Sequence, residues 1–338
     1  MRANRRGWLR ALAPPLLLTA ALLAPLGARA QRVMVFPLTQ AEGPTSAQWL
    51  GTGLSVAVHD ALVVSGVLTI PVEDLRAYYD QEGLVSEPRF SVPAQVALAR
   101  QLGAGTLVTG TYAVSGGSVS VRLQALSASG DLRRLGRWDE GAGLKELLSL
   151  TRRLRDHLLG VLGSASRPDA PVGPEAFEAY IRGRIAPDPT LQEVYLRKAV
   201  ELQPDYDDAS CYLAVVLLES DRVTEARAIL EKLRDHTYAK AYLGRVALGN
   251  LRLEEGALAD ARGLFLSSLK QAENPEAHLG LARLLLRQRR LDEASRELRV
   301  AERFGTHQDD VDALRAELKR LQEAASRPVP EAPAPPAP

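Results

Sequence analysis

The order of apolar and polar positions changes rhythm once along the chain. From Val33 to Leu38 a short apolar, β-branched run ends at a turn signal and predicts a buried strand. An amphipathic helix is expected over 45–64, then a strand over 67–70 and a helix over 73–79. Ser91 is placed to cap a further helix that tolerates Pro93 in its first turn, runs to Gln101 and stops at Gly103. Three strands are expected next, over 106–113, 118–125 and 132–138. Ser115-Gly116-Gly117 and Ser129-Gly130-Asp131 supply hairpin chemistry between them, and Val119, Val121 and Leu123 alternate with polar neighbours. A helix over 144–162 closes a mixed α/β unit spanning 31–163.

Residues 164–174, rich in Ser, Pro and Gly, read as a linker, and beyond them strand periodicity gives way to a helical repeat. Ala226, Ala261 and Ala294 are spaced by 35 and 33 residues, Leu233, Ser268 and Ala301 each fall seven residues after them, and Ala199 holds the matching place in the first unit. Pairs of a leucine and a small residue (Leu213-Ala214, Leu248-Gly249, Leu281-Ala282) sit about one helix upstream. Two helices pack closely only where side chains are short, so these positions mark the crossing points. Four helical hairpins follow, near 173–206, 207–241, 242–274 and 275–308. The first is irregular: Pro187-Asp188-Pro189 stiffens its turn, and position 193 is Glu where the pattern wants Ala. A helix over 309–325 carries Val311, Leu314, Leu318 and Leu321 on one stripe, as a solenoid cap requires. The tail, 326–338, is Pro/Ala-rich and expected to be disordered.

Composition sharpens the compartment. The first thirty residues run from a basic start (Arg2, Arg5, Arg6, Arg10) through an apolar stretch to Gly27-Ala28-Arg29-Ala30, the layout of a signal peptide cleaved after Ala30. Pro14, Pro15 and Pro25 argue against a membrane anchor, so a periplasmic or secreted bacterial protein is expected. The formal charge of +1 conceals that leader: it holds five arginines and no acid, so the rest carries −4. The α/β part is balanced at twelve basic and twelve acidic residues, while the repeats and tail hold 25 basic against 29 acidic. No bulk attraction to nucleic acid follows, and partners are sought among proteins. With 46% hydrophobic residues the chain can build a core, and it must, because one cysteine excludes an intramolecular disulfide. Cys211 lies in an apolar helical stretch and reads as a small packing residue.

Two resemblances add to this. Phe36-Pro37, Trp49-Leu50-Gly51-Thr52-Gly53-Leu54 and the run from Ala99 to Tyr112 resemble the amino-terminal domain of TolB and similar domains ahead of helical repeats in bacterial envelope proteins. Nothing after residue 165 reads as propeller blades, so the Tol-system role does not transfer. The 34-residue register, with Phe265 and Pro204 in place, resembles the tetratricopeptide repeat. That resemblance implies a groove lined by the first helix of each hairpin: Phe177, Ile181, Arg184 and Ile185, then Asp208, Cys211, Val215, Leu218 and Glu219. It continues with Leu243, Val246, Asn250, Leu253 and Glu254, and with Glu276, Leu279, Arg283, Leu286 and Arg287. Asn250 is suited to a peptide backbone, and Arg283 or Arg287 to a carboxylate.

Catalytic spacing is sparse. The histidines (His59, His157, His236, His278, His307) fall in separate segments without metal-ligand spacing, so neither metal nor cofactor is expected. Gly51-Thr52-Gly53 lacks the lysine of a P-loop and the third glycine of a dinucleotide fingerprint; close helix–strand approach explains it better. The acidic pairs Glu73-Asp74 and Asp139-Glu140 read as helix-start acids and a solvated loop, and the clusters Arg133-Arg134-Arg137 and Arg287 to Arg290 as solvated faces. The reading is a non-enzymatic exported adaptor, its α/β domain docked on an envelope component and its repeats holding a partner. The alternative is a small-molecule or cell-wall-fragment sensor, and a hydrolase would need a serine or acid folded beside His59 or His157.

Overall fold

The computed structural model describes residues 32–304 and 307–326, apart from 71, 73, 74, 76, 77, 80–89, 167–170 and 239. The expected signal peptide, most of the helix at 73–79, part of the linker and the tail beyond Ser326 lie outside the described residues. Residues from Arg32 onward belong to one compact unit, and no described helix is long and apolar enough to cross a membrane.

Strands β1 (Val33–Val35), β2 (Thr39–Glu42), β3 (Thr69–Ile70), β4 (Thr106–Ser115), β5 (Ser118–Ser127) and β6 (Arg134–Gly143) form one mixed sheet. Its order is β3-β1-β4-β5-β6, with β2 also on β4. β1 is parallel to β3 and β4, and β4, β5 and β6 form an antiparallel meander. β1 is apolar on both faces because it is covered twice. Val33 and Val35 meet α1 (Trp49–Val64) and α3 (Leu147–Leu162), while Met34 and Phe36 meet the layer of α2 (Val92–Gln101). Ser91 caps α2 as its sequence position required.

Two local expectations are corrected. The third meander strand starts at Arg134 and runs to Gly143, placing Asp139-Glu140 in a strand rather than a loop. The Gly116-Gly117 turn, with φ of 55° and 78°, starts the β5 register, and pairing from Ser118↔Gly143 to Leu126↔Arg134 carries β6 along its whole length. Adjacent strand residues point to opposite faces. Asp139 therefore pairs with Arg122 in solvent at 2.7 Å, while Glu140 meets Arg153 and His157 of α3 at 2.8 and 2.7 Å. Second, α1 is not amphipathic: twelve of its sixteen residues are buried, including Ser55, His59 and Asp60. A helix without a polar face is buried on all sides, and here the second side is covered by the helical repeats.

Those repeats form four antiparallel hairpins: α4 (Pro174–Ile185) with α5 (Pro189–Leu202), α6 (Asp207–Glu219) with α7 (Val223–Leu233), α8 (Ala241–Glu254) with α9 (Leu258–Gln271), and α10 (Pro275–Arg287) with α11 (Leu291–Glu302). A final helix, α12 (Gln308–Ser326), buries Val311, Leu314 and Leu318 against the last hairpin. The small residues sit at the crossings: Ala199, Ala226, Ala261, Ala294 and Ala301 are completely buried. Phe265 is wedged between two glycines; a methyl at Gly249 or Gly280 would lie 2.7 or 2.4 Å from its ring. The irregular first hairpin has local explanations. Asp188 caps α5 by accepting from the Leu191 amide with Pro189 in the first turn, and Glu193 bridges Arg197 and Arg222 across two hairpins. Arg32, ahead of β1, donates to the Phe304 carbonyl just after α11, so the last hairpin returns to the α/β part.

The glycine motif has a steric role. A methyl at Gly51 would lie 2.3 Å from the Leu38 carbonyl oxygen, and one at Gly53 would lie 3.0 Å from Ile181 of α4. Gly51→Ala is expected to cost about 1–3 kcal/mol, because the opposing atom is backbone and cannot rotate away. Gly160→Ala on α3, where a methyl meets nothing, should gain up to about 1 kcal/mol of helix propensity. Urea denaturation of the two variants checks the opposite signs.

Candidate functional site

α1 carries one carboxylate, Asp60, and the fold gathers the neighbouring charges around it. Asp60 Oδ1 accepts from Lys240 Nζ at 2.6 Å, in the turn before α8, and lies 3.0 Å from His59 Nδ1. Its Oδ2 accepts from Arg184 of α4 at 2.6 Å and from the Tyr180 hydroxyl at 3.0 Å. The Arg184 guanidinium stacks 3.8 Å above the Tyr212 ring of α6. Three elements, α1, α4 and the turn before α8, thus meet at one buried carboxylate, with α6 stacked behind Arg184. Burial alone would push the Asp60 carboxyl up; Arg184 and Lys240, helped by His59, hold it well below the usual carboxylate range. Burial opposes charge on Lys240 as well, and Asp60 overcomes it, keeping the amine protonated above its ordinary value.

Beside this cluster a cavity of about 620 Å³ opens between α1, α3 and the starts of α6 and α8. Ala57, Ala61 and Val64 form its α1 wall; Tyr206, Tyr238 and Tyr242 form the wall on the hairpins. Asp208 borders it and accepts the Lys240 backbone N–H at 2.7 Å; burial raises its carboxyl to about 6.

The groove positions divide. Phe177 and Ile181 are buried with Gly53, Leu54 and Ala57, so α1 covers the groove at the first hairpin, and Arg184 is committed to Asp60. Cys211, Val246, Leu253, Leu279 and Leu286 are buried core residues. The Cys211 thiol is pushed up to about 12 by burial, as a packing residue should be. Ile185, Asp208, Val215, Leu218, Leu243, Asn250 and Glu276 are half-buried, while Glu219 and Glu254 are exposed. Arg283 pairs with Asp310 of α12 at 2.6 Å, and exposed Arg287 donates to the Leu253 carbonyl. Asp60 and Lys240, the two ends of the central cluster, escaped sequence reading. The available signal was a lone acid inside an apolar helix, a position a charge occupies only when paired.

The histidines are spread through the fold, and the described residues hold no group of three or more potential metal ligands. Acids do lie beside His59 and His157, but Asp60 is held by two cations and Glu140 is shared with Arg153. Ser55 donates to the Thr52 carbonyl, and neither ring meets a serine among the described hydrogen bonds. His278, in α10, lies 2.7 Å from both Glu297 and Glu273. Burial disfavours its charged form, but the two carboxylates outweigh it and raise its pKa.

Residues 193–244 and 252–318 match the tetratricopeptide-repeat family. The match starts inside α5, after the irregular first helix of the array. No curated protein matches the chain in sequence. Among solved structures, lipoprotein GNA1162 from Neisseria meningitidis aligns at 12% identity with a TM-score of 0.31, covering 38% of this chain and 99% of that one. The LpoB C-terminal domain from Salmonella enterica aligns at 12% identity and 0.27, covering 34% and 83%.

Asp60→Ala leaves Lys240 and Arg184 buried without their counter-ion and should cost about 3–5 kcal/mol in urea unfolding. His278 gives a pH signature. Its folded pKa is raised, so its contribution is complete below the unfolded value of about 6.5 and is lost as pH rises through the folded value. Between pH 5.5 and 8.5 the native chain should lose more stability than His278→Gln; parallel curves would remove the effect.

Proposed function

We propose that this chain is a non-enzymatic adaptor exported to the periplasm, which holds a partner protein on its tetratricopeptide repeats while its TolB-like α/β domain docks on an envelope component. The repeat match supports the first half. The observation that carries it is the inner row beyond the first hairpin, where Asn250, Glu254, Arg283 and Arg287 keep side chains at the surface while their aliphatic neighbours are buried. Half-buried polar groups on a rigid helical face suit an extended peptide segment. The basic leader ending at Ala30 supports export, and the near-neutral mature charge supports protein partners over nucleic acid. On this reading the four hairpins of 175–308, capped by 309–325, are the binding module.

A photo-crosslinking residue at Glu254 of the full chain, expressed in cells, should trap a discrete partner, whereas one at Glu323 on α12 should not. Adding Asn250→Ala with Arg287→Ala should lower the yield about 5- to 30-fold, the range for losing interface anchors. Equal adducts at both positions, or a yield insensitive to the pair, would remove the groove. Cell fractionation with amino-terminal sequencing tests export: the soluble periplasmic form should begin at Gln31.

A further inference from the structure

The cavity beside the Asp60 cluster is unbalanced in a specific way. Its cations are engaged: Lys240 donates to Asp60 at 2.6 Å, Arg245 donates to Gln271 at 2.6 Å, and Arg152 also has partners. Its acceptors are not. Asp208, half-buried, receives only the Lys240 backbone N–H among the described residues. The Asp205 carboxylate, at the exposed rim, and the hydroxyl of half-buried Tyr242 have no hydrogen bond or ion pair among them. Asp207 at the same rim is already taken by His236 at 3.0 Å. A half-buried carboxylate with spare lone pairs is a strong acceptor for a charged donor. The rest of the wall suits an aliphatic stem, with Ala57, Ala61 and Val64 on one side and the Tyr206 and Tyr238 rings on the other. Aromatic faces also attract cations.

We propose that this cavity is a binding site for a primary ammonium on an aliphatic stem, with Asp208 and Asp205 accepting from the ammonium, Tyr242 oriented on it and the tyrosine rings flanking the stem. At about 620 Å³ it falls within the range of small-ligand sites and admits either a diamine or a lysine side chain with its flanking peptide. The site lies where α1 meets the hairpins, away from Asn250 and Arg287, so the adaptor reading and this one stand or fall separately.

Calorimetric titration of the full chain tests it with three probes: cadaverine, an end-blocked Ala-Lys-Ala peptide, and the same peptide with its lysine acetylated. Cadaverine or the lysine peptide should bind one to one, and the acetylated peptide at least about tenfold more weakly. Tighter binding of the peptide identifies a partner's side chain as the source; tighter binding of cadaverine identifies a free diamine. Asp208→Asn should weaken binding about tenfold or more. Tyr242→Phe, which keeps the ring and removes only the hydroxyl, should weaken it several-fold with an unchanged melting curve. Saturation by neither amine at millimolar concentration, equal binding of the acetylated peptide, or native affinity in both variants would overturn the proposal.

Discussion

The carboxylate of Asp60 is the constraint on which the assembly turns. Two cations and a phenol converge on it from two places in the chain: Tyr180 and Arg184 from the first hairpin and Lys240 from the turn leading into the third. Buried ion pairs seldom add net stability, since desolvation consumes most of the attraction, and well-packed apolar side chains do as well or better. What this one supplies is position. The apolar contacts of α1 are non-directional, whereas hydrogen-bonded ion pairs fix distance and orientation. Only one placement satisfies both oxygens of Asp60 together.

That anchoring changes what the repeats are. In an ordinary solenoid each unit touches its neighbours and stability is a sum of local terms. Here the first and third hairpins share one counter-ion that belongs to neither, and Arg32 ties the far end back to the α/β part. Coupling therefore reaches beyond nearest neighbours, over sequence separations of 124 and 180 residues for the two cations of Asp60. The groove is divided by the same contact. Its first segment is spent on holding α1, the second and third open onto the junction cavity, and polar groups remain at the surface farther along.

Much of this was legible in the sequence, and the rest was not for identifiable reasons. The hairpins were readable because the alanines at 226, 261 and 294 recur with the repeat, a pattern that depends only on local packing. Ser91, Gly116 and Gly117 marked their cap and turn through local backbone chemistry. β2 was invisible because Thr39–Glu42 is polar and exposed and alternates nothing. β6 was misplaced because its length is set by pairing with β5, a partner the strand's own residues do not encode. The character of α1 was misread for a related reason: its second apolar face made sense only once α4 lay against it. Asp60 and Lys240 could not be joined at all, since no periodicity links two residues 180 apart.

The thiol of Cys211 acquires a use from its location. It is completely buried on α6, within 3.9 Å of the Lys240 carbonyl and beside the place where α8 approaches at Gly244. Burial also keeps it protonated, so a thiol reagent reaches a reactive anion only while the second and third hairpins are apart. Because it is the sole cysteine, the speed of its modification is a clock for that separation, free of interference from other sites. The protein carries its own gauge of how often its central joint breathes.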